Sequence, residues 1–394
     1  MKRARNLATL CESAVRHRRA LHRIPEIGLE LPRTRAYVEG ALAAAGLQPR
    51  PCAGGVVCDL GSAGPLVALR ADMDALPMAE ETGLSFASEI PGAMHACAHD
   101  GHMAALLAAA EALAAEPPSG YRVRILFQPG EEGFFGAKAM IDAGVMEGVD
   151  AIAGGHLGDL SEELAPGQLG FMRGAMMAAS DVFEGSFAGS GGHGSAPHQA
   201  KDPIPALAQF VAGAYALRSR EPDQRRPLVV SVCRLEAGTA FNIIPGSASY
   251  KGTVRSLREA ERELAKVGLE RLARGLASAY GLEGDFIWKD GYPALVNDDG
   301  AVEACLKASR ALLGDGAVKE LSVPSMGGED FAYYLGLAPG CFWFMNTQAP
   351  ERGLRYPNHH PRFDLDEELL GRAAALHLAL AEALALHIAA RPRL

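Results

Sequence analysis

The 394-residue chain is too long for a single small core, so two domains are the natural arrangement and a peptide hormone or small binding module is excluded. With 48% hydrophobic and 22% charged residues and a mean hydropathy of +0.03, it can bury a core, which excludes intrinsic disorder. Thirty-eight Lys+Arg against 47 Asp+Glu give a net charge of −9, so neither a phosphate backbone nor an anionic membrane has a general attraction for it.

The first 23 residues are basic but interrupted by charge every few positions, which predicts an amphipathic helix and no secretory signal. From Leu66 onward the chain repeats one pattern, an apolar β-rich run that ends in polar residues and is followed by a helix-like segment. Those runs are 66–70 before Asp72 and Asp74, 121–128 before Glu131 and Glu132, and 150–155 before His156. In an open α/β sheet ligands gather beyond the carboxyl ends of strands, so functional groups are expected at those positions. Between them, 102–116 is an Ala/Leu-rich helix stopped by Pro117-Pro118.

The middle of the chain changes character. Strands are predicted at 182–189, 227–235, 247–255 and 285–290, and helices at 203–219 and 257–281, an order of βαββαβ. After Pro293 the α/β pattern resumes with a helix near 301–313, a strand at 341–346 and a long final helix. The predicted organisation is therefore a discontinuous α/β catalytic domain (1–180 and 293–394) interrupted by an α+β, ferredoxin-like domain (181–292). The final helix is apolar, but His377, Glu382 and His387 at about helical spacing fit a half-buried helix better than a membrane span. Seven scattered cysteines do not form a disulfide framework, and imply a reducing, cytoplasmic setting.

Several clusters can carry chemistry. In His95-Ala-Cys97-Ala-His99-Asp100-Gly-His102, an extended segment would point Cys97 and His99 the same way, as two ligands of one metal site, with Asp100 capping the following helix. A buried free Cys and coincident histidines are the plainer reading. In Gly130-Glu131-Glu132-Gly133, one carboxylate can bind metal while its neighbour serves as general base, although a solvated loop also explains the pair. His156, and one of His359 and His360, complete a set of five donors with Cys97, His99 and Glu132, suited to two divalent ions. Asp74 would orient a ligating histidine.

Other motifs are weighed on context. Gly189 to Gly194 matches G-x-G-x-x-G, but it runs into Ala196-Pro197 and sits in the βαββαβ block, so dinucleotide binding fails. The absence of G-x-S-x-G weakens a serine-hydrolase reading. Arg255 offers a planar two-pronged donor for a carboxylate and Asn242 can complete that site, against the alternative of a surface Arg on a strand. Gly327-Gly328 forms a turn where main chain can approach a ligand, though a plain loop explains it equally well.

These segments, in order, make the sequence resemble the dinuclear metallopeptidase family of aminoacylases and glutamate carboxypeptidases. It is most similar to the amidohydrolase branch with hippurate hydrolases and auxin-conjugate hydrolases. The matching stretches are 22–30, 70–78, 95–102, 128–133, 191–198, 242–255, 327–334 and 359–368, nearly the whole chain. The resemblance implies that Cys97 bridges two ions, with His99 and His156 on one and Glu132 and His359 on the other. The ions would be Zn, Mn, Co or Ni. It implies Glu131 as general base and acid. The inserted domain would be a lid or dimerisation domain, giving a homodimer or homotetramer. His193 would reach the tetrahedral intermediate, often from the other subunit, and Asn242 and Arg255 would hold the substrate carboxylate.

The implied activity is hydrolysis of the amide bond in N-acyl-L-amino acids. A dipeptidase or carboxypeptidase, or a non-catalytic small-molecule binder, are the alternatives. Two departures stand out: Ala98 replaces the Gly of H-A-C-G-H-D, and Leu157-Gly158-Asp159-Leu160 follows His156 where an aromatic or Pro-containing segment is usual.

Overall fold

A computed structural model describes residues 6–391. The chain falls into two compact units: residues up to 176, Val296–Ser325 and residues from 330 onward form the larger, and Met177–Leu295 with Met326–Glu329 the smaller.

The strands of the larger unit begin with β1 (Arg50–Cys52), β2 (Gly55–Leu60), β3 (Leu66–Asp72), β4 (Arg122–Gln128), β5 (Ala151–Leu157) and β6 (Leu169–Phe171). The chain then passes through the smaller unit, with β7 (Ala179–Ala188), β8 (Leu228–Ala237), β9 (Ser247–Ser256) and β10 (Glu283–Tyr292). It returns for β11 (Val318–Glu320) and β12 (Gly340–Met345). The large sheet has the order β1-β2-β4-β3-β5-β12-β6-β11. Its centre is parallel, β3 pairing with β4 and β5, and β5 with β12. Every residue of β3, β5 and β12 is buried, which is why they read as unbroken apolar runs and not as alternating ones. Because β3, β4 and β5 run the same way, the polar residues that follow them emerge along one edge of the sheet.

Helices Leu7–His22, His99–Ala115, Asp299–Leu313 and Leu370–Ala389 pack on one another within this unit. The last is long and apolar enough to cross a membrane, yet its most apolar window is 78% buried inside the protein. His377 is among its buried residues, as a core helix allows.

A buried charge cluster ties the first helix to the His99–Ala115 helix. Arg18 Nε donates to Asp100 Oδ2 at 3.1 Å, and His22 Nδ1 lies 2.8 Å from the same oxygen, with His22 Nε2 at 3.2 Å from Glu80. Asp100 therefore does not cap its helix. Ala98 occupies the cap position without a side-chain bond, and Asp100 turns inward to neutralise two cations. Burial alone would push the His22 imidazole down, but Asp100 and Glu80 outweigh it and hold it up to about 9. A raised folded value stabilises the protein fully below the unfolded value of about 6.5, and that contribution disappears as pH rises through about 9. An NMR titration is expected to find His22 charged at pH 8, and the stability gap to His22→Gln should close above pH 9. A midpoint near that of a free histidine would contradict this.

The smaller unit is a βαββαβ layer of order β8-β9-β7-β10, with helices Ile204–Arg220 and Glu259–Ala279. Its core gathers Phe183, Phe187, Phe210 and Tyr250, with the Phe210 and Tyr250 rings stacked at 4.0 Å. The fold is the predicted one, a mixed α/β domain interrupted by a βαββαβ insertion. A two-residue ladder pairs Ile243 with His193 and Ile244 with Gly192.

Candidate metal centre

The Cys97–His99 segment is not extended. Ala98 takes a left-handed conformation (φ +67) and His99 opens the helix that runs to Ala115. This turn still brings the two side chains together, and it seats an Ala where a left-handed φ favours Gly. His156 likewise belongs to β5 itself, one residue from its carboxyl end, and does not follow the strand. At the end of β4, Gly130 turns with φ +68, so Glu131 and Glu132 lie in a turn.

Five of the expected donors meet. Cys97 Sγ is 3.3 Å from His156 Nε2 and 3.1 Å from His359 Nε2, and His359 Nε2 is 3.2 Å from Glu132 Oε1. The ligand atoms form two triads, Cys97/His99/His156 and Cys97/Glu132/His359, each within 4.8 Å, sharing the Cys97 sulfur. Of the two candidates before Pro361, His359 is the one that joins the cluster. His360 stacks on Tyr356 at 4.4 Å. His359 has φ +66 and its N–H donates to Ala96 O at 2.8 Å, which pins the loop to the segment carrying Cys97.

The imidazoles are oriented through their other nitrogens. His99 Nδ1 donates to the Asp74 carbonyl at 2.8 Å and His156 Nδ1 to the Leu157 carbonyl at 2.9 Å. Both Nε2 atoms are thereby left to face the cluster, and that of His99 is buried with no hydrogen-bond partner. Such an orphan nitrogen beside a thiol and a carboxylate is the donor set a divalent cation satisfies. Asp74 thus orients His99 by its main chain. Its carboxylate lies 3.6 Å from the same His99 Nδ1, and also accepts from Glu131 N at 2.9 Å and Glu132 N at 3.0 Å, which fixes the acidic turn. Glu131 is only 7% exposed, and its carboxylate lies within 4.8 Å of the ligand atoms of His99 and Glu132.

Burial and neighbouring charge set the protonation of the donors. Burial pushes the Cys97 thiol well above its usual range, and Glu132, Glu131 and Asp72 push it further. His99 is lowered by burial but lifted more by Asp72 and Asp74, to about 10. Burial and then His102 drive His156 well down, leaving it neutral. Glu132 is raised by burial but lowered more, first by the His359 hydrogen bond.

The remaining expected residues belong to the smaller unit, where they form two groups. His193 and Asn242 sit by the short ladder, near where Ser247 pairs with Ala188. Arg255 pairs with Ser180 at the opposite end of β9, and a Cβ on Gly328 would lie 2.8 Å from that of Ser180. The eight steps along the strand from Ser247 to Arg255 span about 26 Å. Asn242, expected to join Arg255 at one carboxylate, is therefore not brought to it within one copy of this unit. Residues that carried no assignment, His102, Asp72 and Asn358, also surround the cluster. The i,i+3 spacing of His99 and His102 and the Asp72-x-Asp74 alternation were the signals available.

A parallel-centred α/β sheet with two donor triads sharing one thiol at its carboxyl edge defines the class, an α/β fold built around a two-cation donor set. The chain belongs to the peptidase family M20/M25/M40, whose model matches residues 68–383. It is 37% identical over 374 residues to thermostable carboxypeptidase 1 of Saccharolobus solfataricus, covering 92% of this chain and 93% of that one. It is also 37% identical over 379 residues to N-acetyl-L-cysteine deacetylase of Bacillus subtilis, covering 94% and 87%. A crystal structure of a dinuclear metal binding peptidase of this family from Bacillus subtilis matches with a TM-score of 0.81 at 33% identity, covering 96% of this chain and 98% of that one.

Proposed function

We propose that this chain is an amidohydrolase that uses two divalent cations to cleave the amide bond of N-acyl-L-amino acids, releasing a carboxylic acid and a free amino acid. The observation that carries this reading is the Cys97 sulfur common to both donor triads, with Glu131 beside them. Cys97, His99 and His156 would hold one ion, and Cys97, Glu132 and His359 the other. When bound, such a pair of Zn, Mn, Co or Ni ions polarises a carbonyl and acidifies water.

Glu131 takes a proton from the attacking water as the C–O bond forms, and delivers it to the leaving amine as the C–N bond breaks. Arg255 receives the substrate carboxylate, with the Gly328 main chain beside it. His193 Nδ1 accepts from Ser195 N at 3.2 Å, so the neutral ring carries its proton on Nε2, a donor for the developing oxyanion. Within one copy His193 lies by the short ladder and Arg255 at the far end of β9, which supports a reading in which His193 and Asn242 come from a second copy of a homodimer or homotetramer assembled through the lid unit. The seven cysteines, all free, agree with a cytoplasmic setting.

The deacetylase relative supports an N-acyl substrate, and the carboxypeptidase relative, equally similar, supports a dipeptidase or carboxypeptidase as the second reading. A metal-supplemented screen decides between them. N-acetyl and N-benzoyl amino acids are expected to exceed dipeptides in kcat/KM by at least about tenfold, roughly 1.4 kcal/mol. Dipeptides leading the screen would select the second reading, and full activity after exhaustive chelation would remove the cations from both.

A further inference from the structure

His102 closes the His95–His102 motif but belongs to neither donor triad. Its ring is 4% exposed, and both nitrogens are engaged. The Leu157 N–H can only donate, and it reaches His102 Nε2 at 2.9 Å, so that nitrogen carries the lone pair. The ring proton is then on Nδ1, 2.6 Å from Asp72 Oδ1. Asp72 accepts from Arg70 Nη1 at 2.6 Å through its other oxygen, and Arg70 is itself fixed by Gln128 at 2.9 Å and Asp330 at 2.9 Å. All of these side chains are buried.

What this chain holds is the main chain of one residue, Leu157. The Leu157 carbonyl accepts both from His156 Nδ1 at 2.9 Å and from Asn358 Nδ2 at 3.1 Å. Asn358 also accepts from Asp159 N at 3.2 Å, and Gly158 between them has φ +138 and no room for a Cβ against Asn358 Oδ1. Asn358 immediately precedes His359. The main chain of Leu157 is thus a junction: its N–H is tied to His102, and its carbonyl to one histidine of each triad, directly for His156 and through Asn358 for His359.

We propose that His102 is a positioning residue that sets cation affinity at both sites, by holding the Leu157 main chain against a rigid Asp72–Arg70 anchor. This rests on the two-cation reading above. The rival is that His102 is itself a ligand, since Asp72, His99 and His102 also place donor atoms within 4.8 Å. Its double engagement argues against that.

The test uses the cobalt(II)-loaded full chain, with cobalt affinity by competition titration and the visible ligand-field bands as readouts. His102→Phe keeps the ring shape and removes both bonds. It is expected to weaken cobalt binding by about 10- to 100-fold and to shift the bands, while stoichiometry stays at two. His102→Gln restores an acceptor for Leu157 N–H and should recover most of the affinity. Asn358→Ala breaks the junction from its other side and carries the test if His102→Phe does not fold. A folded His102→Phe or Asn358→Ala with the wild-type affinity and spectrum would overturn the proposal. So would a wild type holding three cobalt ions of which His102→Phe loses one. A wild type with no thiolate-to-cobalt band would fail differently, removing the two-cation reading itself and this inference with it.

Discussion

Glu131→Gln is expected to lower kcat by about two to four orders of magnitude, roughly 2.7–5.4 kcal/mol of barrier, while leaving two cations per chain. The substitution is nearly isosteric, so the turn that Asp74 fixes through the Glu131 and Glu132 amides should survive. What is lost is the capacity to take a proton. Glu131 is suited to that task because it is mostly buried beside His99 and Glu132, yet lies outside both Cys97 triads. Steady-state kinetics with elemental analysis of the purified variant separates the roles. Near-normal turnover would remove Glu131 from the chemistry, and loss of a cation would move it among the ligands.

Much of this arrangement was legible in the sequence, and the places where it was not share a cause. Buried parallel strands announce themselves as β3, β4 and β5 do, by apolar runs ending in polar residues, because both faces are covered. The βαββαβ insertion could be read from alternation and helical periodicity. Local conformation around the donors could not. The Cys97–His99 pair converges through a left-handed Ala98, which no propensity favours, and only the surrounding packing imposes it. Asp100 sits where a helix cap is expected, but a cation cluster more than 75 residues away in the chain claims it. The roles of Asp74 divide between its carbonyl and its carboxylate, a distinction invisible in a residue name. Within the smaller unit, Asn242 and Arg255 are near in sequence, but the antiparallel β9 carries them to opposite ends.

Cys97→Ala should have the larger effect on cation binding, because it removes the one donor common to both triads. Each ion would keep two protein ligands, and affinity at both sites is expected to fall by more than the roughly 100-fold that loss of a supporting residue costs, taking cation content below one per chain and abolishing turnover. Cys97→Asp supplies a carboxylate in the same place and should restore part of the content, whereas Cys97→Ala retaining both ions would break the shared-sulfur arrangement. The pH dependence follows from the same geometry. In the cation-free chain, burial and three carboxylates keep the thiol protonated, and Asp72 and Asp74 keep His99 protonated up to about 10. A cation must displace both protons, so loading near neutrality releases acid and affinity rises with pH. Calorimetry in buffers of different ionisation enthalpy reads that release directly, and in Cys97→Asp the share due to the thiol should vanish while that of His99 persists.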